Sequence, residues 1–392
     1  MCSDDRRACR AIRAQPVPPD GGCSRGPTTE GPGASFRTLA PVRERTAIVT
    51  GATGQDGYFL VRRLLDDGWT VHTPVRDVAA VERLFAHHDG LRAVRRDLID
   101  PGPLAALVGD VRPEEMYNLA GESSVAGSFD NPRANWEANA HVIVHLIDAI
   151  RNDSPQTRFY QASSGEMFGW IPGGQIVHDE LSALNPQSPY AAAKAAAHLL
   201  CRSYRDSYHV RIACGILFNH ESHRRGDRFL TRKVVDHVVA LRRGAVESPL
   251  RVGNLKAKRD WGFAPDYVEG MMMILRQTAI RNVPDVPEQY RDYVLGTGTL
   301  HHVWELIDRA FRLGGFDLIW DLDGDDPLGW HASFEGGDVA VVADSKFVRP
   351  ADPAAIGADP SRVRAELGWE PRVGLDVFLT DMLRLDAAAP AS

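Results

Sequence analysis

The sequence predicts an α/β protein with a doubly wound parallel sheet and a smaller C-terminal α/β domain. Three observations support this prediction: strand-like apolar runs alternate with helix-like stretches from Thr46 onward, a glycine-rich turn follows the first run, and the alternation loosens after residue 218. Strand–helix alternation is typical of parallel sheets whose two faces are covered by helices. The chain has 392 residues, 44% of them hydrophobic and 25% charged, so it is long enough to bury such a core.

Six apolar runs are predicted to form the strands of the sheet. They are Thr46–Thr50, Val71–Val75, Leu91–Val94, Glu115–Leu119, Arg158–Ala162 and Val210–Leu217. The stretch Tyr58–Asp67, between the first two runs, repeats leucine at helical spacing and is predicted to be a helix with one buried face. After residue 218 the pattern changes to Arg-rich loops, a Met-rich helix near Met271–Leu275 and mixed elements up to residue 386.

Composition and charge argue against several classes of protein. No run of about 18 apolar residues is present and the N-terminus has no hydrophobic leader, so we expect neither a membrane span nor secretion. The net charge is −7 without a dense basic block, so no nucleic-acid partner is expected. The cysteines lack the spacing of a metal site or a disulfide framework, which predicts no metal and a cytoplasmic location. They are Cys2, Cys9, Cys23, Cys201 and Cys214.

A glycine-rich turn, TGATGQDG over Thr50–Gly57, joins the first predicted strand to its helix. Glycines let backbone N–H groups approach a pyrophosphate closely, and the N-terminus of the helix favours its negative charge. The spacing is GxxGxxG, and its place after the first strand of an alternating pattern predicts a Rossmann-type dinucleotide-binding domain. The expected contacts in this turn are Gly51, Thr53, Gly54, Gln55, Asp56 and Gly57.

The end of the second predicted strand bears on the choice of dinucleotide. Arg76 suits the 2′-phosphate of NADP, whereas the adjacent Asp77 suits the free 2′-hydroxyl of NAD. The two residues thus favour different dinucleotides. We expect NADP, with NAD as the alternative. Further cofactor contacts are expected where the third and fourth strands end, at Asp97, Leu98, Leu119, Ala120 and Gly121.

Four residues have the character of a catalytic group. Ser164 and Glu166 close the fifth predicted strand, while Tyr190 and Lys194 lie four positions apart on an alanine-rich helix and share one face. An ammonium beside a phenol favours the phenolate, which predicts that Tyr190 is a base near neutral pH. Glu166 would be a second proton-transfer group, which a simple dehydrogenase does not need. The alternative is that Glu166 is a solvated acid in a loop.

The sequence resembles the extended short-chain dehydrogenases/reductases and, among them, the GDP-mannose 4,6-dehydratase family. The resemblance runs from Thr46 to about Leu385 and rests on the motifs TGATGQDG, YNLA, FYQASSGEMFG, SPYAAAK, GILFNHES, GNLKAKRDWG, FVRP and LGWEP. GILFNHES and GNLKAKRDWG are the most discriminating, since they separate this family from sugar epimerases and reductases of the same fold. The resemblance implies a hydro-lyase that dehydrates GDP-mannose, uses NADP and forms a homodimer or homotetramer.

The resemblance also implies roles for individual residues. Ser164, Glu166 and Tyr190 match the catalytic positions, and Lys194 matches a cofactor-binding lysine. The other matches are Ser123, His220 and Arg225 for the cofactor, and Ser123, Asn219, Lys233, Arg259 and Arg349 for the nucleotide sugar. The implied reaction carries a hydride from C4 to C6 of the sugar through NADP, with Tyr190 acting at O4 and Glu166 removing the C5 proton.

The sequence departs from the family pattern at Gly165, where serine is usual, and at Glu122, where glutamine is usual. These changes leave the accepted sugar and base open. Two other functions also stay open: an NAD(P)-dependent nucleotide-sugar 4-epimerase or 4-ketoreductase, and a dinucleotide-binding module without catalysis. Glu166 and the NHES loop argue against the first, and the complete set of four catalytic residues argues against the second.

Three regions are expected along the chain. Residues 1–45, rich in Arg, Pro, Gly and Ser, are predicted to be a disordered tail, which can also reflect a misassigned start codon. Residues 46–218 are predicted to form the dinucleotide-binding domain. Residues 219–388 are predicted to form mainly the substrate-binding domain, with some segments returning to the Rossmann sheet.

Overall fold

The computed structural model describes residues 44–388, except residues 246–248, 278–289, 325, 327, 350 and 351. Apart from its last two residues, the predicted disordered tail lies outside the described residues.

Sixteen strands and twelve α-helices are found in the described part of the chain. The strands are β1 Thr46–Thr50, β2 Thr70–Val75, β3 Leu91–Arg95, β4 Glu115–Asn118, β5 Arg158–Ser164, β6 Val177–His178, β7 Ile212–Leu217, β8 Asn219–Glu221, β9 Leu250–Val252, β10 Lys258–Phe263, β11 Tyr293–Leu295, β12 Leu300–His302, β13 Ile319–Asp321, β14 His331–Ser333, β15 Val339–Ala343 and β16 Ala355–Ala358. The helices are α1 Gln55–Asp66, α2 Val78–Leu84, α3 Pro101–Val111, α4 Val125–Asp130, α5 Pro132–Trp136, α6 Val142–Asp153, α7 Pro189–Tyr208, α8 Leu230–Arg242, α9 Ala264–Arg276, α10 Val303–Gly314, α11 Ser361–Leu367 and α12 Leu375–Ala388.

The main sheet has seven parallel strands in the order β3-β2-β1-β4-β5-β7-β11. The strand order reverses between β1 and β4, which is the switch point of a doubly wound fold. All six strands predicted from the sequence lie in this sheet. The fifth runs two residues further than predicted, to Ser164, and the sixth begins at Ile212 instead of Val210.

The seventh strand, β11, comes from the C-terminal half of the chain. Asp292, just before it, accepts the N–H of Cys214 on β7 at 3.0 Å and forms a 2.7 Å ion pair with Arg205 on α7. The helix α9, which contains the predicted Met-rich segment, packs its buried Met271 and Met272 into the core beside this sheet. The main sheet is therefore completed by a strand from beyond residue 218.

Apolar side chains cover both faces of the main sheet. One face buries Leu60 and Leu64 of α1 beside Met271 of α9, and the other buries Leu104 of α3 and Leu146 of α6. Each large aliphatic side chain contributes about 1.5–3 kcal/mol when it is fully buried. These two layers hold in place the loops that follow β1, β4 and β5 at the carboxyl ends of the strands. Ligands bind at this end of the sheet in doubly wound folds.

Two smaller sheets lie in the C-terminal half of the chain. One has the order β12-β10-β16-β6, with β8 also paired to β10, and the other has the order β13-β14-β15-β9. Helices α8, α10 and α12 share a separate core that includes Val235, Leu306, Phe311 and Phe378. Across the described residues, no helix combines the length and the hydrophobicity that a membrane crossing requires.

Candidate active site

The glycine-rich turn forms a tight cradle at the carboxyl end of β1. Gly51 has a φ of +75°, and a Cβ on it would lie 2.8 Å from the main-chain nitrogen of Ala120. A Cβ on Gly57, in the first turn of α1, would lie 2.1 Å from the carbonyl oxygen of Gly51. The helix starts after Gly54 without a side-chain cap, so its first N–H groups stay available to an anion. The turn therefore fits the pyrophosphate of a dinucleotide.

Thr50 joins this cradle to the end of β4. Its hydroxyl donates to Asn118 Oδ1 at 2.7 Å and accepts the N–H groups of Leu119 and Ala120, both at 3.1 Å. The segment that was predicted to pass beside the cofactor is thereby held against Gly51. Neither Thr50 nor Asn118 was predicted to matter, although a polar residue that ends a buried strand is the signal that could have identified both.

At the end of β2, the two residues considered for the choice of cofactor, Arg76 and Asp77, differ in their contacts. The carboxylate of Asp77 accepts the N–H of Ala80 at 3.0 Å and caps α2, whereas Arg76 is exposed. After β3, Asp97 accepts the N–H of Ile99 at 3.1 Å, and Leu98 packs against the apolar core. The carboxylates of Asp77 and Asp97 are thus both used in local turns.

Asp56 and His220 form a largely buried ion pair at the start of α1. His220 Nε2 lies 2.9 Å from Asp56 Oδ2, and His220 Nδ1 lies 2.7 Å from the carbonyl oxygen of Phe218. Burial alone would raise the pKa of Asp56 and lower that of His220, but their mutual attraction leaves the pKa of Asp56 lowered and that of His220 raised. Gln55 reinforces the pair, because it donates to the carbonyl oxygen of His220 and accepts the hydroxyl of Ser222, both at 2.9 Å. The GILFNHES segment is thereby fixed against the glycine-rich turn.

Two further predicted cofactor contacts flank this region. Arg225 Nε lies 3.1 Å from Oε2 of the buried Glu221, and the guanidinium lies 3.6 Å from the ring centroid of Phe229. The charge of Arg225 contributes to the lowered pKa of Asp56 and partly opposes the rise in the pKa of His220. Ser123, in contrast, is exposed in the loop after β4.

Tyr190 and Ser164 meet at the carboxyl end of β5. Ser188 caps α7 by accepting the N–H of Ala191 at 3.1 Å, and a proline occupies the first helical position, so Tyr190 lies in the first turn. Burial raises the pKa of Tyr190 to about 12, although a hydrogen bond with Ser164 acts in the opposite direction. Desolvation outweighs the effects of Ser164 and Arg225, which lower the pKa, and Lys194 is not among the groups that lower it. That Tyr190 acts as a base stays a prediction.

Lys194 lies one turn further along α7 and is buried. Its Nζ donates to the carbonyl oxygen of Ala162 on β5 at 3.1 Å and lies 5.9 Å from the centroid of the Tyr190 ring. Burial lowers the pKa of Lys194 from 10.5 to about 8. Gly121 is next to it, since a Cβ there would lie 3.7 Å from Nζ. The amine therefore lies between the ends of β4 and β5.

Glu166 lies in a short 3₁₀ helix that continues β5 directly. Its N–H donates to Ser164 Oγ at 3.3 Å, and its side chain is 18% exposed. A Cβ on Gly165 would lie 3.0 Å from the ring of Phe218, which gives a steric reason for glycine at this departure from the family pattern. Arg349 Nη1 lies 3.9 Å from Glu166 Oε1. Glu166 is thus held beside Ser164 and a cation, which differs from the alternative of a solvated loop acid.

The residues predicted to bind a nucleotide sugar are used in different ways. Arg259 is buried on β10, where its Nη2 lies 2.8 Å from Oδ1 of Asp352, and Arg349 Nε lies 3.7 Å from the same oxygen. Asp352 was not predicted, and its only sequence signal is an acid three positions after Arg349. Asn219 is half-buried at the start of β8 and pairs in register with Trp261 of β10.

Lys233 lies on α8, in the C-terminal half of the chain. Its ammonium donates to the carbonyl oxygen of Arg251 at 2.5 Å and lies 3.6 Å from the ring centroid of Phe347. Burial lowers the pKa of Lys233. Phe347 and Arg349 are two residues apart in the sequence. Lys233 contacts this segment at Phe347, and Glu166 lies near it at Arg349.

Comparisons with known proteins agree with these features. The family model described as GDP-mannose 4,6 dehydratase matches residues 48–382. The chain is 36% identical over 371 residues to GDP-mannose 4,6 dehydratase 2 of Caenorhabditis elegans, covering 91% of this chain and 92% of that protein. It is 35% identical to GDP-mannose 4,6 dehydratase of Homo sapiens, covering 87% and 91%, and 35% identical to GDP-mannose 4,6-dehydratase of Vibrio cholerae, covering 88% and 94%.

Solved structures share the fold over nearly the same span. RMD from Pseudomonas aeruginosa, complexed with NADPH, has a TM-score of 0.66 at 21% identity and covers 87% of this chain and 98% of its own. The dTDP-glucose 4,6-dehydratase from Bacillus anthracis, in complex with NAD, has a TM-score of 0.68 at 17% identity, covering 87% and 96%. These similarities confirm the predicted fold class.

Proposed function

Because the chain belongs to the GDP-mannose 4,6-dehydratase family, we propose that it converts GDP-mannose into GDP-4-keto-6-deoxymannose and water, with NADP as a recycled cofactor. The observation that carries this proposal is the place of Glu166, two residues beyond Ser164 and 3.9 Å from Arg349. A dehydratase needs an acid–base group for the C5 proton in addition to the tyrosine that acts at O4. A 4-epimerase or a 4-ketoreductase does not.

Tyr190 and Ser164 are the groups for the chemistry at C4. Tyr190 removes the O4 proton, and the hydroxyl of Ser164, which lies beside Tyr190 at the carboxyl end of β5, stabilises the charge that develops on O4. A bound nicotinamide would supply the chemistry of hydride transfer, as acceptor from C4 and donor to C6. Since the pKa of Tyr190 is about 12 in the protein alone, positive charge brought close to the phenol by a ligand would favour the phenolate.

Glu166 is the group for the loss of water. The C4 ketone acidifies the C5 proton, which Glu166 removes and passes to the 6-hydroxyl group, so that this group leaves as water and a 5,6-double bond remains. When the hydride is added at C6, C5 takes up one proton, which balances the proton that Tyr190 removed from O4. Ser164, Tyr190 and Lys194 are each only 7% exposed, which limits the access of bulk water to the reacting carbons. The net redox change is zero, so the reaction is that of a lyase.

The proposed function predicts that deuterium placed on C4 of GDP-mannose appears in the new methyl group at C6. The measurement is mass spectrometry of the product, together with a panel of GDP-, dTDP-, UDP- and CDP-sugars screened for loss of water. The panel tests the sugar and the base, which the sequence leaves open. Stoichiometric consumption of NADPH would instead identify a ketoreductase, and a product without deuterium in its methyl group would contradict the internal hydride transfer.

Arg76→Ala is expected to weaken the binding of NADP about tenfold or more and to leave the affinity for NAD within about twofold, since charge-assisted hydrogen bonds to a phosphate are strong. The reason is that Asp77 caps α2, so Arg76 is the charged side chain at this strand end that is not engaged in the cap. Calorimetric titration of the two dinucleotides measures the effect. Arg83→Ala, at an exposed position on α2, is the matched control. An unchanged affinity for NADP would contradict the proposed role of Arg76.

The family also supports proposals about location and assembly. We propose that the protein acts in the cytoplasm and that it is a homodimer or a homotetramer. In the family resemblance, the loop that contains His220 and Arg225 helps to build the contact between subunits.

A further inference from the structure

Four charged side chains of alternating sign extend from β10 to the end of β5. Arg259 Nη2 lies 2.8 Å from Asp352 Oδ1, Arg349 Nε lies 3.7 Å from the same oxygen, and Arg349 Nη1 lies 3.9 Å from Glu166 Oε1. The exposed fractions of the side chains are 6% for Arg259, 12% for Asp352, 18% for Glu166 and 29% for Arg349. We call this set the four-charge cluster.

The two arginines of the cluster differ in how many of their N–H donors are already hydrogen-bonded within the protein. Arg259 Nη1 donates to the main-chain carbonyl oxygens of Lys258 and Pro353, both at 2.8 Å, so this guanidinium is largely used inside the protein. Arg349 Nη1 is buried and has no hydrogen-bond partner among the described residues. A buried N–H donor without a partner is costly, and such a group calls for an acceptor. Arg349 therefore has a donor that a ligand beside Glu166 can use.

Asp352 is what allows two guanidinium groups to lie together. Two cations in a poorly hydrated place repel each other strongly, and the carboxylate shared between them offsets this repulsion. Without Asp352, Glu166 would be the remaining carboxylate in the cluster. Arg349 would then move towards Glu166 and pair with its carboxylate. That carboxylate would no longer be free to take the C5 proton.

We propose that Asp352 is a positioning residue, which holds Arg349 beside Glu166 while leaving both the Arg349 Nη1 donor and the Glu166 carboxylate free to act on the nucleotide sugar. This inference rests on the proposed dehydratase function. It assigns Asp352 an effect on the elimination step through Arg349, without contact with the reacting atoms.

Asp352→Asn tests this role, because it removes one negative charge at nearly constant size. We expect kcat for dehydration to fall about 10- to 100-fold, the scale of an ångström-sized misplacement at an active site. The dissociation constant of GDP, measured by calorimetry, should stay the same or decrease, because the site gains a positive charge towards the diphosphate. A merely structural defect would instead weaken GDP binding and lower the melting temperature together. Asp352→Glu, which restores the charge, should recover most of kcat.

The control is Asp376→Asn, which removes an aspartate from an exposed 2.8 Å ion pair with Arg309 and should leave kcat unchanged. A double-mutant cycle gives a second measurement: in an Arg349→Gln background, Asp352→Asn should cause no further loss of kcat, since Asp352 acts through Arg349. Unchanged kcat in Asp352→Asn, weaker GDP binding, or losses that add up in the double variant would each overturn the proposal. If the wild-type protein does not dehydrate GDP-mannose, the proposed function fails; if it does and the variants behave otherwise, only the role of Asp352 fails.

Discussion

Glu166→Gln is expected to lower kcat for dehydration by about 10²- to 10⁴-fold, the usual contribution of a general acid–base group, and to leave nucleotide-sugar binding close to that of the wild type. Glutamine has the size of glutamate and keeps the backbone contact to Ser164, but it can neither take the C5 proton nor return it to the 6-hydroxyl. Oxidation at C4 does not use Glu166, so the variant should still reduce its bound NADP when GDP-mannose is added.

Three measurements on Glu166→Gln separate its role in catalysis from one in binding. Calorimetry gives the affinity for GDP-mannose, the absorbance of the reduced nicotinamide reports oxidation at C4, and mass spectrometry reports loss of water. Glu335→Gln, at an exposed loop position, is the matched control and should behave as the wild type does. Full turnover by Glu166→Gln would remove Glu166 from the mechanism.

Most of the main sheet is predictable because apolar periodicity is a local property of the chain. Five of its strands are runs of at least five residues, with turn residues on both sides, and these were predicted at nearly the observed positions. The strand β11, Tyr293–Leu295, is too short to give a periodic signal. It is a strand because Asp292 binds β7 and α7, a contact between residues 78 positions apart in sequence.

The candidate site is predictable to the extent that its residues fall in motifs. The partners of those residues are not, because side chains that meet across the fold have no fixed spacing in the sequence. His220 meets Asp56 from 164 positions away, and Arg259 meets Asp352 from 93 positions away. The extent of burial also cannot be predicted from the sequence. Burial of Tyr190 is the reason that its pKa lies above its ordinary value and not below it.

Lys194→Met is expected to abolish dehydration and, at the same time, to make the cofactor-free protein more stable. Burial lowers the pKa of Lys194 from 10.5 to about 8, which corresponds to about 3 kcal/mol of cost for keeping the ammonium inside the folded protein at neutral pH. Methionine fills the same volume without charge but loses the hydrogen bond to the carbonyl oxygen of Ala162, worth about 1 kcal/mol. The net gain in the free energy of unfolding is therefore about 2 kcal/mol at pH 7.

The stabilisation by Lys194→Met should depend on pH in one direction. Below pH 8 the lysine is charged in both the folded and the unfolded wild type, so the folded state bears the whole cost of burial. Between pH 8 and 10.5 the unfolded chain binds more protons than the folded one, so the wild type gains stability as the pH rises and the advantage of the variant shrinks. Melting temperatures at pH 7 and pH 10 measure this difference, with Lys256→Met at an exposed position as the control. If the variant instead melts below the wild type at pH 7, Lys194 stabilises the folded protein. The buried ammonium would then carry no cost in stability, and this prediction would be contradicted.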